Sequence, residues 1–259
     1  MAASVALYRA SLRAIRQATR GTSLLLREPV LSSTVQWMSE GPQPRKQHRL
    51  VRETAAETIG QTFPYLLNAN GECDPALWGD DVPLELSRER LYAIARSRYS
   101  SQPPDAAKAL DDGFRALRAL HEQLDLACNT SVTRTDGVCV EASSAFCGTM
   151  VQNAKPLWVF SYKLRIRNEG TEPIRLLARH WLIKNADGTV HAEVPRWGAG
   201  VVGQTPVIEP SACFEYASGS TLSQPGGSIE GGLQLTRHGS LFEAPIDSFP
   251  LLVGPTSPP

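Results

Sequence analysis

The chain has 259 residues, enough for two domains of average size, and its 26 basic and 26 acidic side chains give a formal net charge of zero. Overall neutrality excludes a polyanion binder driven by bulk charge, and no nucleic-acid partner is expected. No apolar run reaches the length needed to cross a bilayer, so no transmembrane segment is expected.

The first predicted element is a helix over residues 4 to 20. Val5, Tyr8, Leu12 and Ile15 recur at steps of three and four, which sets them on one stripe. Arg9, Arg13, Arg16 and Arg20 share those steps on a second stripe, at about 100 degrees per residue roughly a quarter turn away. Arginines are the only charged residues before Glu28. A guanidinium ladder beside an apolar seam suits an acidic protein surface or a phosphate group. Two blander readings stand beside it: a targeting peptide, which is also Arg-rich, Ser-containing, acid-free and amphipathic and is removed from the mature chain, and a surface helix with solvated arginines.

The order Leu7-Tyr8-Arg9-Ala10-Ser11-Leu12-Arg13 resembles the signature of the LYR-motif family, also called complex 1 LYR proteins. The resemblance implies a small antiparallel helical bundle that acts as a non-enzymatic adaptor. Family members bind the mitochondrial acyl carrier protein, accept its phosphopantetheine-linked acyl chain between their helices, and help assemble respiratory complexes or supply iron-sulfur clusters. Carried over, Leu7, Tyr8, Arg9, Leu12 and Arg13 are the partner-binding residues. Arg9 and Arg13 would bond carboxylates or phosphate, and Tyr8 would lie near the acyl tunnel or serve as a core aromatic on the bundle seam. The family's second helix carries a basic residue and a phenylalanine ahead of an Asn or Lys, for which Arg52, Phe63 and Asn68 stand at looser spacing. No cofactor is bound directly on this reading, since the acyl-phosphopantetheine belongs to the partner. The implied location is the mitochondrial matrix, with plastid or cytosol as alternatives.

Pro29, Gly41, Pro42 and Pro44 make residues 22 to 45 a loose connection. Val51, Ala55, Ile59 and Phe63 stand four apart and predict a helix from 46 to about 63, which Pro64 ends. A short helix follows around Ser87 to Tyr99, whose arginines read as solvated. In the next, Asp105 is the N-cap candidate after Pro103-Pro104, and Leu110, Phe114, Leu117 and Leu124 share one face with Leu120 beside them. The long Pro/Gly connection and the extra piece at 87 to 99 depart from the compact LYR pattern.

Near residue 128 the pattern changes to short alternating runs punctuated by glycine and proline. The chain reads as α followed by all-β: a helical domain over 1–127, a linker over 128–137, a β-sandwich over 138–254 and a flexible tail over 255–259. Residues 157 to 168 alternate strictly, with Trp158, Phe160, Tyr162, Leu164 and Ile166 on one face and Ser161, Lys163, Arg165 and Arg167 on the other. Further strands are predicted at Ile174 to Lys184, Val190 to Val194, Thr205 to Ile208, Cys213 to Ser218, Ser228 to Leu235 and Leu241 to Phe249. So many short strands suit a sandwich.

Val159-Phe160-Ser161-Tyr162-Lys163-Leu164-Arg165-Ile166-Arg167-Asn168, then Leu176 to Ile183, Gly198 to Pro206, Ile208-Glu209-Pro210 and Phe214 to Gly219 resemble the ApaG family over about residues 138 to 253. That resemblance implies a fibronectin type III-like sandwich, alone in bacteria and a partner-binding module in larger eukaryotic proteins, here with an unknown protein client or a second copy of itself. Gly198-x-Gly200-x-x-Gly203 imitates a dinucleotide fingerprint, but Pro206 and Pro210 break any helix that would open on it. It reads first as a sandwich loop. The weaker reading is an anion-binding loop made by Arg196, Gly198, Gly200 and Gly203.

His180 sits mid-strand between Arg179 and Trp181, with no acid or serine at triad-like spacing. Five cysteines without a Cys-x-x-Cys spacing support neither a zinc site nor a cluster site, and imply reduced thiols. No metal and no catalytic residue is expected. Three functions are ranked: the adaptor, a cleaved targeting peptide followed by an ApaG-type protein- or phosphate-ligand-binding module, and, remotely, an enzyme acting on a phosphorylated small molecule through the Gly198 loop.

Overall fold

The structure is a computed structural model that describes residues 2–19, 23–25, 49–51, 85–100, 106–198, 201 and 203–253. Among them the first half contains helix α1 (Ala2–Ala18), strands β1 (Ser23–Leu25), β2 (Arg49–Val51) and β3 (Glu85–Ser87), and helices α2 (Arg88–Ser100) and α3 (Ala106–Cys128). The second half contains β4 (Thr130–Thr135), β5 (Val138–Gln152), β6 (Lys155–Asn168), β7 (Ile174–Asn185), β8 (Val190–Val194), β9 (Val207–Ile208), β10 (Cys213–Leu222), β11 (Gly227–Arg237) and β12 (Ser240–Leu251). The chain divides into two units, Met1–Pro29 with Thr54–Ala127 and Val30–Glu53 with Cys128–Pro259.

In the helical unit, small residues decide which faces turn inward. On α1 the buried line is Leu7, Ser11, Ala14 and Ile15, with Tyr8 and Leu12 half-buried beside it and Val5 48% exposed. The expected stripe is therefore rotated towards Leu7. On α3 the buried residues are Gly113, Ala116, Ala119, Leu120, Gln123 and Leu126, while Phe114, expected inward, is 61% exposed. Both corrections have one cause. A Cβ at Gly113 would collide with the Leu7 side chain and the Tyr99 hydroxyl, so Leu7 occupies the space a larger residue would need.

The end of α1 is tied to the start of α2. β1 and β3 pair antiparallel, with Leu24 opposite Leu86. Arg88 donates from Nε to Thr19 Oγ1 at 2.9 Å and from its second nitrogen to the Thr19 carbonyl, placing a cation at the negative end of α1.

The helix predicted over 46 to 63 is corrected at its start, where residues 49–51 form β2 against β10. A short edge strand with an existing ladder to join wins there over a helical turn. Arg20, Arg52, Phe63, Asn68, Asp105, Gly200 and residues 255–259, each given a role above, lie outside the described residues.

The second unit is a sandwich of two antiparallel sheets, ordered β2-β10-β6-β5-β4 and β12-β11-β7-β8, with β9 also paired to β7. The alternation on β6 holds: Phe160, Tyr162, Leu164 and Ile166 enter the core. On β7 the inward set changes parity, from Ile174 and Leu176 to Trp181 and Ile183, because the ladder to β11 shifts register at Leu177. One extra residue turns every later side chain over. Trp181, Tyr162 and Phe249 pack edge-on or tilted with ring centroids 6.0 to 6.3 Å apart.

The predicted linker 128–137 is corrected to β4 and its hairpin turn into β5, with Thr135 opposite Val138 and Asp136 and Gly137 at φ 49° and 77°. Asp-Gly with both φ positive is the tight turn that fits the strands' twist. β4 then meets β12 across the sandwich seam, where Ser131 Oγ donates to the Asp247 carbonyl and the Asp247 N–H to Thr133 Oγ1, each at 3.0 Å.

Candidate functional site

With Leu7, Ser11, Ala14 and Ile15 turned inward, helical geometry leaves Arg9, Arg13 and Arg16 exposed. Leu7 is a packing residue. Tyr8 lies half-buried at the border of the charged face, its ring 5.2 Å from that of Tyr99, and Ser11 Oγ is 3.5 Å from the Tyr99 hydroxyl. Leu12 is half-buried on the same side. The arrangement is a row of guanidinium groups beside a part-exposed aromatic seam, able to form charge-assisted bonds to carboxylates or a phosphodiester.

In the sandwich, the described residues of the glycine-rich loop are Gly198, Val201 and Gly203. Val201 is fully buried and anchors it, and Val201 and Gln204 exchange both backbone hydrogen bonds, at 2.8 and 3.1 Å. Gly203, at φ 78°, stands in the turn between them, and the Pro206 carbonyl then accepts the Leu176 N–H as the chain rejoins the sheet. No helix opens on Gly203, so no helix dipole is aimed at an anion there. Gly198 is exposed, and Arg196 Nε lies 3.3 Å from Glu243 Oε1, which also accepts Gln234 Nε2 at 3.1 Å. The charge of Arg196 is thus answered on β12.

One expectation about His180 is corrected. An acid does stand beside it: Glu193 on β8 places Oε1 3.6 Å from His180 Nε2. Strand pairing brings in what sequence spacing does not show. Among the described residues the buried His180 Nδ1 has no hydrogen-bond partner.

Sequence reading missed the buried ionic group on β6 and β10. Arg165 Nε is 2.6 Å from Glu215 Oε1 and Lys163 Nζ 3.5 Å from Oε2, with the three side chains 15%, 17% and 5% exposed in the order Arg165, Lys163, Glu215. The alternation marked Lys163 and Arg165 as polar-face residues but carried no signal that an acid some fifty positions later stands between them. Asn168, which closes the ApaG-like run on β6, is a second case. It is fully buried, donates from Nδ2 to the carbonyls of Glu172 and Ile208 at 2.7 and 2.9 Å, and accepts the Gly170 N–H at 3.0 Å. Burial pushes the hydroxyls of Tyr162 and Tyr216 up, that of Tyr216 well above its ordinary range.

Residues 149–237, from the outer part of β5 to the end of β11, match the ApaG domain. The ApaG protein of Shewanella pealeana is 40% identical over 117 residues, which are 45% of this chain and 90% of that protein. The chain belongs to the ApaG family. The ApaG protein of Anaeromyxobacter dehalogenans is 39% identical over 125 residues, 48% of this chain and 95% of its own length. A crystal structure described as an ApaA protein from Bordetella pertussis is 34% identical, covers 49% of this chain and 100% of that one, and has a TM-score of 0.41. The matched ApaG domain lies within the sandwich unit, and the expected C-terminal ApaG sandwich is what the two sheets form.

Proposed function

We propose that this ApaG-family chain is a non-enzymatic adaptor. Its LYR-like helices dock an acyl carrier protein and its ApaG sandwich holds a second protein client, in the mitochondrial matrix and in the service of respiratory-complex or iron-sulfur protein assembly. One observation carries the reading: α1 buries Leu7, Ser11, Ala14 and Ile15 while Arg9, Arg13 and Arg16 all face solvent. A carrier protein is acidic and bears a phosphodiester, the charge such a face recognises. The same packing supports retention of α1 over its removal as a targeting peptide, since Ala14 and Ile15 share a buried cluster with Leu91, Ile94 and Leu120.

Charge reversal of Arg9 and Arg13 to Glu in the full chain is the test. Copurification of the carrier protein should fall by about two orders of magnitude, the cost of two partly desolvated charge pairs, with the unfolding midpoint unchanged. Persistence of the complex would reject the reading. So would a mature chain that begins beyond residue 20 when the organellar protein is sequenced.

A further inference from the structure

Exposed apolar side chains of the sandwich gather at one end, on the ribbon that closes β5 onto β6. β4 accompanies β5 as far as Ser143, and β10 accompanies β6 as far as Trp158. The two strands then run on as a ribbon, with Thr149 opposite Trp158, Met150 opposite Leu157, Val151 opposite Pro156 and Gln152 opposite Lys155. Asn153 and Ala154, at φ 51° and 59°, make the tight turn. Glycine fills such a position without strain, yet this tip carries the methyl group of Ala154. Residues 149 to 156 are all exposed, Met150 at 43% and Val151 at 74%. Val253, also exposed, stands at the same end, three residues beyond Pro250, whose carbonyl accepts Ser144 Oγ.

Both faces of this ribbon are apolar. Opposed residues share a face and successive ones alternate. Val151 and Pro156 therefore lie on the face of Trp158, which packs against the sandwich core, and Met150 and Leu157 lie on the other. A single protein surface covers one face of a ribbon, whereas the interfacial layer of a membrane surrounds its tip and covers both. Charge points the same way. No acidic residue occurs between Glu141 and Glu169, and Lys155 is the ribbon's single charge. Lys163 and Arg165, farther along β6, are answered by Glu215. Lys155 and Pro156 also blunt the β6 edge against another strand, and the register shift between Phe146 and Gly148 interrupts the β5 edge.

We propose that the tip of the β5–β6 ribbon, from Met150 to Leu157, is an anchor for an anionic lipid surface. Met150, Val151 and Leu157 enter the boundary between headgroups and acyl chains, and Lys155 meets the phosphates. The unpaired backbone groups of a two-stranded tip keep it out of the hydrocarbon interior, so the contact is peripheral and reversible. The anchor is built from other residues than the arginine row of α1, and it stands whether or not a carrier protein docks there.

The test is co-sedimentation of the full chain with vesicles of phosphatidylcholine, with and without phosphatidylglycerol. It is run on the chain carrying Arg9→Glu and Arg13→Glu, so that the cationic face of α1 does not contribute. Binding should be about fivefold stronger with the anionic lipid, the effect of one basic side chain near such a surface, and should weaken as salt is raised. Met150→Asp with Val151→Asp should reduce it about tenfold or more, with the unfolding midpoint unchanged because both side chains are exposed. Lys155→Gln should remove the preference for anionic lipid, and the anionic vesicles should slow amide exchange of residues 149 to 156 about tenfold. No binding to either vesicle, equal binding to both, or binding that Met150→Asp with Val151→Asp leaves unchanged would each overturn the proposal. So would dimerisation without vesicles that this same variant abolishes, since a second copy of the chain would then be what covers the ribbon.

Discussion

The helical unit and the sandwich exclude water by opposite means. In the helical unit the Leu7 side chain fills the space over Gly113, and Ala14, Ile15, Leu91, Ile94, Ala95, Ala119 and Leu120 share one aliphatic cluster. The sandwich interlocks Trp181, Tyr162, Phe249, Phe214 and Tyr216, all at most 3% exposed, between two sheets. A small-residue seam is damaged by added volume and an aromatic core by removed volume. The difference also bears on function: α1 keeps a face for charge, whereas the large aromatic side chains of the sandwich are held in its core.

The contrast breaks most sharply at Trp181. Trp181→Ala should cost about 3–5 kcal/mol of sandwich stability, because the cavity opens against Tyr162 and Phe249. Denaturant unfolding followed by near-ultraviolet dichroism measures it, and a loss below about 1 kcal/mol would mean that the three rings are not mutually supporting. Gly113→Val is the converse, with added methyls driven into Leu7. It should cost the helical unit about 1–3 kcal/mol, visible as an earlier far-ultraviolet transition, while amide exchange on β6 and β7 stays unchanged. Equal loss of protection in both units would contradict their separate cores.

The smallest effect lies on the β7–β8 turn. The Thr189 hydroxyl, then the Thr189 N–H, then Gln224 hold the exposed Asp187 carboxyl below its ordinary value of 3.8. A lowered folded value means that the ionised form stabilises the fold, fully above about pH 3.8 and progressively less as pH falls through the lowered value. The difference in melting temperature between the native chain and Asp187→Asn should therefore be small and should shrink on that acid side. A gap that stays constant through the same range would rule out the charge as its source.

Much of the sandwich is legible along the chain. The Trp158 to Arg167 alternation and two-residue turn signals each involve residues only a few positions apart, so local pattern reports them directly. The Asp136-Gly137 turn carried the same signal, and reading it as a linker hid β4. Of the candidate binding residues, Arg9 and Arg13 follow from helical spacing once the inward face is known. That face could not be read from hydrophobicity, because the deciding residue, Gly113, has no side chain and sits more than a hundred positions from Leu7. Glu215 and Glu193 were hidden for a related reason: each meets its partner, Arg165 or His180, across a strand pair.

What the amino-acid order determines here is therefore local: an arginine row of helical period beginning at Arg9, a strict two-residue period along β6, and turn residues where strands reverse. Tertiary structure alone decides the rest. It rotates α1 so that Leu7 fills the space over Gly113, sets Glu215 between Lys163 and Arg165, and lays β2 on the first three residues of β10. Periodicity is a property of neighbouring dihedral angles, whereas face and register depend on which distant surfaces exclude water together.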